Sequence, residues 1–277
     1  GNFYYENLQS NINVEMTKKI AKFYLVSEPF KSLKFLKNFL HLPNIAESWM
    51  YDNVKGDIKI EELYAEYDLI NNHIIENSIQ GKAQIKDAKI RFHKDVDAVN
   101  TKSLDIFFKD NRLHFNLMEP MFKDKKLDGS FVLINNLTSE KNGQVDVFLK
   151  TNSKLDKDIL DILKAYNITL PIIQKNGNTQ ASLLMKFPYD TTKNMSTYGE
   201  FFLNDAKVAI NNFEFESKNA EVILDDSIIK IKNSDFKYKD MINATLNLNL
   251  DIKTLKSYGD ANIKSFLIKE ENKESLV

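Results

Sequence analysis

Cysteine is absent from the 277-residue chain. Its absence excludes disulfides, thiolate metal sites and a cysteine nucleophile. Glycine and proline are scarce, with eight and five residues, which favours long strands joined by polar turns over a small glycine-rich barrel. No run of about 18 apolar residues occurs, so the sequence predicts no membrane-spanning helix.

The start of the chain carries no visible signal peptide, and its first residue is Gly1 rather than methionine. We therefore expect the sequence to be a piece of a longer protein, whose targeting or anchoring segment lies outside it.

Arginine is also nearly absent, because Arg91 and Arg112 are the only two arginines among 38 basic residues. The formal net charge is −1. Sequence-specific nucleic-acid binding uses arginine forks on a basic surface, so we expect no nucleic-acid partner. The 43% of apolar residues nevertheless predicts a folded protein with a core.

Alternation of apolar and polar residues is the main positive signal. The longest run covers residues 244–252, where every second residue is apolar. Such a period of two predicts strands with one apolar and one polar face, and short polar turns between them predict an antiparallel meander. The predicted fold is mostly β with a few helices. It is an elongated, curled antiparallel sheet with an open groove, built from two repeats of a helix followed by a β meander.

Two segments have helical rather than alternating periodicity, residues 31–42 and 154–166. Each is followed by a Leu-Pro pair, and we expect Pro43 and Pro171 to end the helices. Ser153 is a candidate N-cap for the second. The apolar positions of the two segments are Leu33, Leu36, Phe39 and Leu40, then Leu155, Ile159, Ile162, Leu163 and Tyr166.

An internal repeat is indicated by the alignment of residues 81–90 with 199–208, which share a Gly at the start and an Asp-Ala-Lys near the end. The helix, Leu-Pro and glycine precede both segments in the same order. We therefore predict four parts: 1–27 as the tail of a preceding unit, 28–150 as repeat unit 1, 151–270 as repeat unit 2, and 271–277 as a polar tail.

Catalytic motifs are missing from the sequence. The four histidines are scattered without metal-ligand spacing, and no nucleophile elbow or phosphate-binding glycine loop occurs. Acidic pairs such as Glu61-Glu62 lie beside lysines and are more typical of a solvated face than of acid–base chemistry. We expect no enzyme, no metal and no cofactor.

The order of these features resembles the AsmA-like family, especially its YhdP branch, with the TamB proteins as more distant relatives. The strand phrases at 81–92 and 199–210 carry the resemblance, which extends over about residues 28–268. It implies a Gram-negative envelope protein in the periplasm, anchored in the inner membrane by an N-terminal helix that this chain lacks. It also implies a curled sheet with a hydrophobic groove, a role in moving phospholipid between the inner and outer membranes, and no catalytic residues.

The function predicted on this basis is to hold phospholipid acyl chains in a hydrophobic β groove during transport between the two membranes. The expected partners are phospholipid and, at the ends of the full-length protein, the two membranes or other envelope proteins. The alternative is a non-enzymatic structural or adaptor β protein of the envelope with a closed core. The predicted groove-lining residues are Ile90, Phe92, Leu104, Ile106, Phe115, Val208, Ile210, Val222, Leu224, Ile231, Leu246 and Leu248.

The alternation shifts phase at two Asp-Ala pairs, Asp87-Ala88 and Asp205-Ala206. A strand keeps one apolar face across such a shift only if an extra residue is accommodated. The sequence therefore predicts a β-bulge at each pair, and bulges bend a sheet towards a trough.

Overall fold

A computed structural model describes residues 1–38, 42–139, 141–169, 172–210, 213–270 and 273–276. The chain forms two compact units. The first unit contains residues 1–148 and 185–195, and the second contains residues 149–184 and 196–277.

Strands make up most of the described chain. In order they are β1 (Asn2–Tyr5), β2 (Leu8–Met16), β3 (Ile20–Ser27), β4 (Val54–Asp68), β5 (His73–Ile90), β6 (Val99–Lys109), β7 (Arg112–Met118), β8 (Met121–Phe122), β9 (Lys125–Lys126), β10 (Phe131–Asn135), β11 (Gln144–Ser153), β12 (Ile172–Pro188), β13 (Ser196–Ile210), β14 (Phe213–Asp225), β15 (Ile228–Tyr238), β16 (Ile242–Asp251), β17 (Ser257–Glu270) and β18 (Lys273–Leu276). The helices are α1 (Asn44–Tyr51) and α2 (Lys157–Ala165), and Lys34–Asn38 forms a 3₁₀ turn.

The first unit is an antiparallel meander. Strands β1 to β7 each pair with the next strand, and β7 then pairs with β10, which pairs with β11. In the second unit, β13 to β18 pair successively in the same way. The predicted class, mostly β with few helices and an open, curled antiparallel sheet, is confirmed in each unit.

The first predicted helix, over residues 31–42, is wrong for the part that the structure describes. Lys34–Asn38 is only a 3₁₀ turn, and residues 39–41 lie outside the described chain. The α-helix begins after Pro43 instead of ending there. Proline has a fixed φ and no N–H, and both suit the start of a helix, where that donor would have no intrahelical partner. The apolar anchor of α1 is Trp49, which is buried.

The second predicted helix is confirmed, because α2 lies within residues 154–166. Its N-cap is Asp156 rather than Ser153. The Asp156 carboxylate accepts hydrogen bonds from the backbone N–H groups of Asp158 and Ile159, at 3.1 and 3.4 Å, as an N-cap acid should. The buried face consists of Ile159, Ile162 and Leu163. The predicted stop at Pro171 lies outside the described residues.

A buried amide fixes the approach to α2 in the second unit. The side-chain oxygen of Gln174 accepts hydrogen bonds from the Leu155 N–H at 2.8 Å and from the Thr179 hydroxyl at 2.7 Å. The backbone N–H of Gln174 in turn donates to the backbone carbonyl of Leu155. These bonds satisfy buried polar groups that would otherwise destabilise the fold.

The bulge predicted at Asp87-Ala88 is confirmed. Lys86 lies opposite Asp57 and Lys89 lies opposite Lys55, so Asp87 and Ala88 together face the single residue Gly56. Asp87 has a left-handed φ of 49°. The extra residue keeps Ile85, Ala88 and Ile90 all buried on one side of β5.

The bulge predicted at Asp205-Ala206 stays a prediction, and this pair shares three local features with Asp87-Ala88. Asp205 has a φ of 44°, Ala206 is buried, and Gly177 lies against them. A Cβ at Gly177 would approach the Ala206 Cα to 2.7 Å. The glycine before each predicted repeat strand therefore packs against an Asp-Ala pair in both units.

Candidate functional site

The predicted groove residues of the first unit share one face of the sheet. Residues directly opposite each other in antiparallel strands point to the same side. Ile106 is opposite Phe115, and Leu104 is opposite Ile85. Ile90 lies on the same side as Ile85, because the bulge restores the phase.

This part of the face is a buried core. Ile90 is 1% exposed and Leu104 is 0% exposed, and Ile106 and Phe115 are also buried. Helix α1 contributes to the cover, since the Trp49 ring lies 6.4 Å from Phe115 and 5.8 Å from the half-buried Phe92. The four strand residues are thus packed by protein in the structure.

The predicted residues of the second unit have a different environment. Val222 is opposite Ile231, and Ile231 is opposite Leu248, so the three form a row across β14, β15 and β16. Leu246 lies two residues from Leu248 on the same side, and all four side chains are half-buried. This row with Leu246 is called the unit 2 apolar row below.

The remaining predicted residues of the second unit lie around this row. Val208 is half-buried and is opposite Phe215. Leu224 is fully buried. The side chain of Ile210 lies outside the part of the chain that the structure describes.

Exposure of the unit 2 apolar face increases from β13 towards β17. Phe201 and Leu203 in β13 are buried, the unit 2 apolar row is half-buried, and Ile263 in β17 is 60% exposed. Ile263 is opposite Ala244, which is two residues from Leu246 on the same side. A continuous apolar surface therefore changes from core to solvent-facing within one sheet.

Aromatic rings extend this surface beyond Val208. The ring centroids of Phe215 and Phe236 are 4.3 Å apart, and those of Phe215 and Tyr238 are 5.4 Å apart. Phe213 lies 5.9 Å from Tyr238 and is exposed. The prediction missed this cluster as a site, although alternation at positions 213, 215, 236 and 238 marks it in the sequence.

The first unit also has a solvent-facing apolar surface, on β2 and β3. Val14 is opposite Phe23, and Ile12 is opposite Leu25. Val14 is exposed, and Met16 on the same side is 68% exposed. These residues fall in the segment 1–27, which the sequence prediction treated as the tail of a preceding unit, and none was included among the groove residues.

Charged residues lie on the opposite side of the second unit's sheet. Glu221 and Lys232 alternate with the apolar row and form an ion pair of 3.4 Å. Lys264 donates to Asp235 at 2.7 Å and lowers the pKa of that carboxyl below its ordinary value. Apolar and charged side chains therefore lie on different faces of the same strands.

No metal-binding cluster of histidine and carboxylate side chains occurs among the described residues. In the same part of the chain, no helix is long and apolar enough to cross a membrane. The candidate functional site of the described residues is therefore the extended apolar surface.

Comparison with models of protein families identifies the family of the chain. A family model described as YhdP protein matches residues 41–275, which is most of the chain and confirms the family resemblance seen in the sequence. Searches of curated proteins and of solved structures found no match.

Proposed function

The chain belongs to the YhdP family, and from this premise we propose that it is a lipid-binding segment of a Gram-negative envelope protein. Family membership suggests a cell-envelope protein related to lipid transport. The more specific proposal is that phospholipid acyl chains lie on the apolar β face during transport between the inner and outer membranes. The full-length protein would be anchored in the inner membrane, extend through the periplasm and act without catalysis.

The observation that carries the proposal is the unit 2 apolar row and its continuation to Ile263. Partly exposed apolar side chains in adjacent strands leave surface that water hydrates poorly. Covering it with an acyl chain contributes about 0.8 kcal/mol for each methylene removed from water. Affinity from that source needs no specific headgroup contact.

The chemical uniformity of the row suits movement as well as binding. Val222, Ile231 and Leu248 offer similar contacts at successive strands, so a chain passing over them would meet similar energies. An inward carboxylate would create a barrier, because a charge among acyl chains is desolvated. The nearby ion pairs, such as Glu221 with Lys232, lie on the other side.

Within the first unit, the proposal places lipid contact on β2 and β3 rather than on the predicted residues of β5 to β7. Ile90 and Leu104 are core side chains without exposed surface to offer. Val14, Phe23 and Leu25 lie on the apolar side of their strands and are half-buried or exposed. The binding energy from burial is available only where surface is still exposed.

The test is the amount of phospholipid that co-purifies with the protein, measured by extraction and mass spectrometry. Leu248→Asp places a carboxylate in the unit 2 apolar row and should lower bound lipid several-fold. The matched control is Asn249→Asp, which adds the same charge one residue away on the opposite side, facing Lys230. Equal lipid in both folded variants, or no lipid with the native chain, would refute the proposal.

The alternative is a structural or adaptor protein with a closed core, and the complete burial of Leu104 and its neighbours favours it in the first unit. That function requires the apolar surface on β14 to β17 to contact protein rather than lipid. Native protein from envelope membranes that carries a stoichiometric polypeptide on this face, and no lipid, would support the alternative.

A further inference from the structure

A cavity lies on the polar side of the first unit, across β2 to β6. It encloses about 870 Å³. Asn13 is opposite Tyr24, Tyr24 is opposite Tyr64, and Tyr64 is opposite Gln80, so one register row supplies its floor. Phe107 of β6 lies at one end. This cavity is called the tyrosine cleft below.

The tyrosine cleft is separate from the apolar face. Its row is one residue out of phase with Leu25 and Leu63, which border the cleft but direct their side chains to the other side of the same strands by strand alternation. An adjoining hollow of about 540 Å³ shares Asn11 and Glu61 with the cleft and extends it towards Asn2. The five strands from β2 to β6 span about 19 Å at the usual strand spacing.

Two aromatic rings of the cleft, Tyr24 and Phe107, are exposed, and Tyr64 between them is half-buried. The Tyr24 and Tyr64 ring centroids are 4.9 Å apart at an interplanar angle of 49°. The Tyr64 hydroxyl donates to the Glu66 carboxylate, and this bond raises the pKa of Tyr64 to about 12. The Lys82 ammonium lies over the Phe107 ring, 5.8 Å from its centroid. The rings are therefore pre-positioned stacking surfaces.

Amide side chains flank the two tyrosine rings at the ends of the row. Asn13 and Gln80 make no side-chain hydrogen bond to another residue in the described part of the chain, although both line the cleft. Each amide presents both donors and an acceptor. Such groups suit a ligand whose hydroxyls also donate and accept.

Charge disfavours phosphate ligands in the cleft, and its amides disfavour acyl chains. Glu61, Glu62 and Lys109 line the cleft, so carboxylates outnumber lysines there, and Lys82 beside them is paired with Glu61 at 2.7 Å. A phosphate or nucleic acid would meet these carboxylates rather than a basic surface. An acyl chain would leave the amides of Asn13 and Gln80 without partners.

We propose that the tyrosine cleft binds a neutral oligosaccharide. The apolar faces of its sugar rings would stack on Tyr24, Tyr64 and Phe107, and its hydroxyls would bond with Asn13 and Gln80. The length of the cleft and its adjoining hollow fits a chain of several sugars. This binding does not depend on the lipid function, because it uses the opposite side of the strands.

The test is a titration with two neutral probes, chitohexaose and cellohexaose, followed by NMR of the folded chain. At least one should bind saturably, with shifts confined to the amides of β2 to β6. Tyr24→Ala and Phe107→Ala should each weaken binding about tenfold. Trp49 is the only tryptophan, and its unchanged fluorescence in each variant verifies that the first unit remains folded.

Matched controls are available in the second unit. Tyr198 is 44% exposed against 41% for Tyr24, and Phe202 is 43% exposed against 37% for Phe107. Tyr198→Ala and Phe202→Ala should leave saccharide affinity unchanged. The proposal is overturned if neither hexasaccharide binds, if the shifts map outside the cleft, or if the cleft and control variants bind equally well. Binding of an extended peptide to the cleft, with no saccharide binding, would likewise overturn it in favour of a protein partner.

Discussion

Gly177 lies so close to Ala206 that a Cβ built on the glycine would approach the alanine Cα to 2.7 Å. Gly56 is placed similarly against the bulge in β5, where its Cβ would meet the Lys86 carbonyl oxygen at 2.7 Å. In both units a glycine gives the neighbouring strand room to accommodate an Asp with positive φ. Each left-handed Asp therefore lies beside a close contact between main chains.

Substituting either glycine by alanine should destabilise the protein. We expect Gly177→Ala to lower the free energy of unfolding by about 2 kcal/mol, because the new methyl meets main chain and the residue has a φ of 82°. Urea denaturation measures the change. Gly1→Ala is the control, since a Cβ at that position would meet no atom within 4 Å, and it should leave the unfolding midpoint unaltered. An unaltered unfolding midpoint for Gly177→Ala would contradict the close contact.

Buried and half-buried positions on the apolar face should respond differently to the same carboxylate. Ile90→Asp should cost about 3–5 kcal/mol or prevent folding, because it leaves a charge unpaired in the core. Leu248→Asp should cost clearly less, since water reaches the unit 2 apolar row. Thermal unfolding followed by circular dichroism compares the two variants. Similar losses at both positions would mean that Leu248 is also in a closed core.

The contrast between Ile90 and Leu248 shows which part of the fold the sequence does not predict. Alternation identifies which residues share a face, and so the strands, the antiparallel meander and the bulge at Asp87 were predictable. It does not reveal what covers that face. Ile90 and Leu248 have the same pattern in the sequence, yet one is packed in the core and the other is partly exposed.

The helices illustrate a second limit. Residues 31–42 have helical periodicity, but the helix forms after Pro43, where Trp49 can pack near Phe92 and Phe115. Tertiary packing of one large ring outweighs a weak local preference. The tyrosine cleft was unpredictable for a related reason, because its row combines residues from four strands whose register only the fold determines.

A half-buried histidine should make stability depend on pH. His114 packs against Phe131 with ring centroids 5.3 Å apart, and its Nε2 is buried without a hydrogen-bond partner in the described structure. Burial lowers the pKa of His114 below 6.5. Its neutral form is favoured in the folded state, so the associated stability is present above pH 6.5 and is lost as pH falls through the lower folded pKa.

The measurement is the free energy of unfolding between pH 7.5 and pH 5. His114→Gln should flatten the decline seen below about pH 6.5. His73→Gln, at an exposed histidine, should leave the decline as it is. If the two variants have the same pH profile, burial of His114 does not govern the dependence.

Photo-crosslinking in cells tests the lipid proposal most directly. A photoreactive benzoylphenylalanine is placed at Leu248 in the unit 2 apolar row, at Asn249 on the opposite side of β16, or at Ile106 in the core of the first unit. Irradiation followed by mass spectrometry of the purified protein identifies any phospholipid adduct. The account predicts adducts at position 248 and none at positions 249 and 106. No adduct at 248, or equal adducts at 248 and 249, would contradict it.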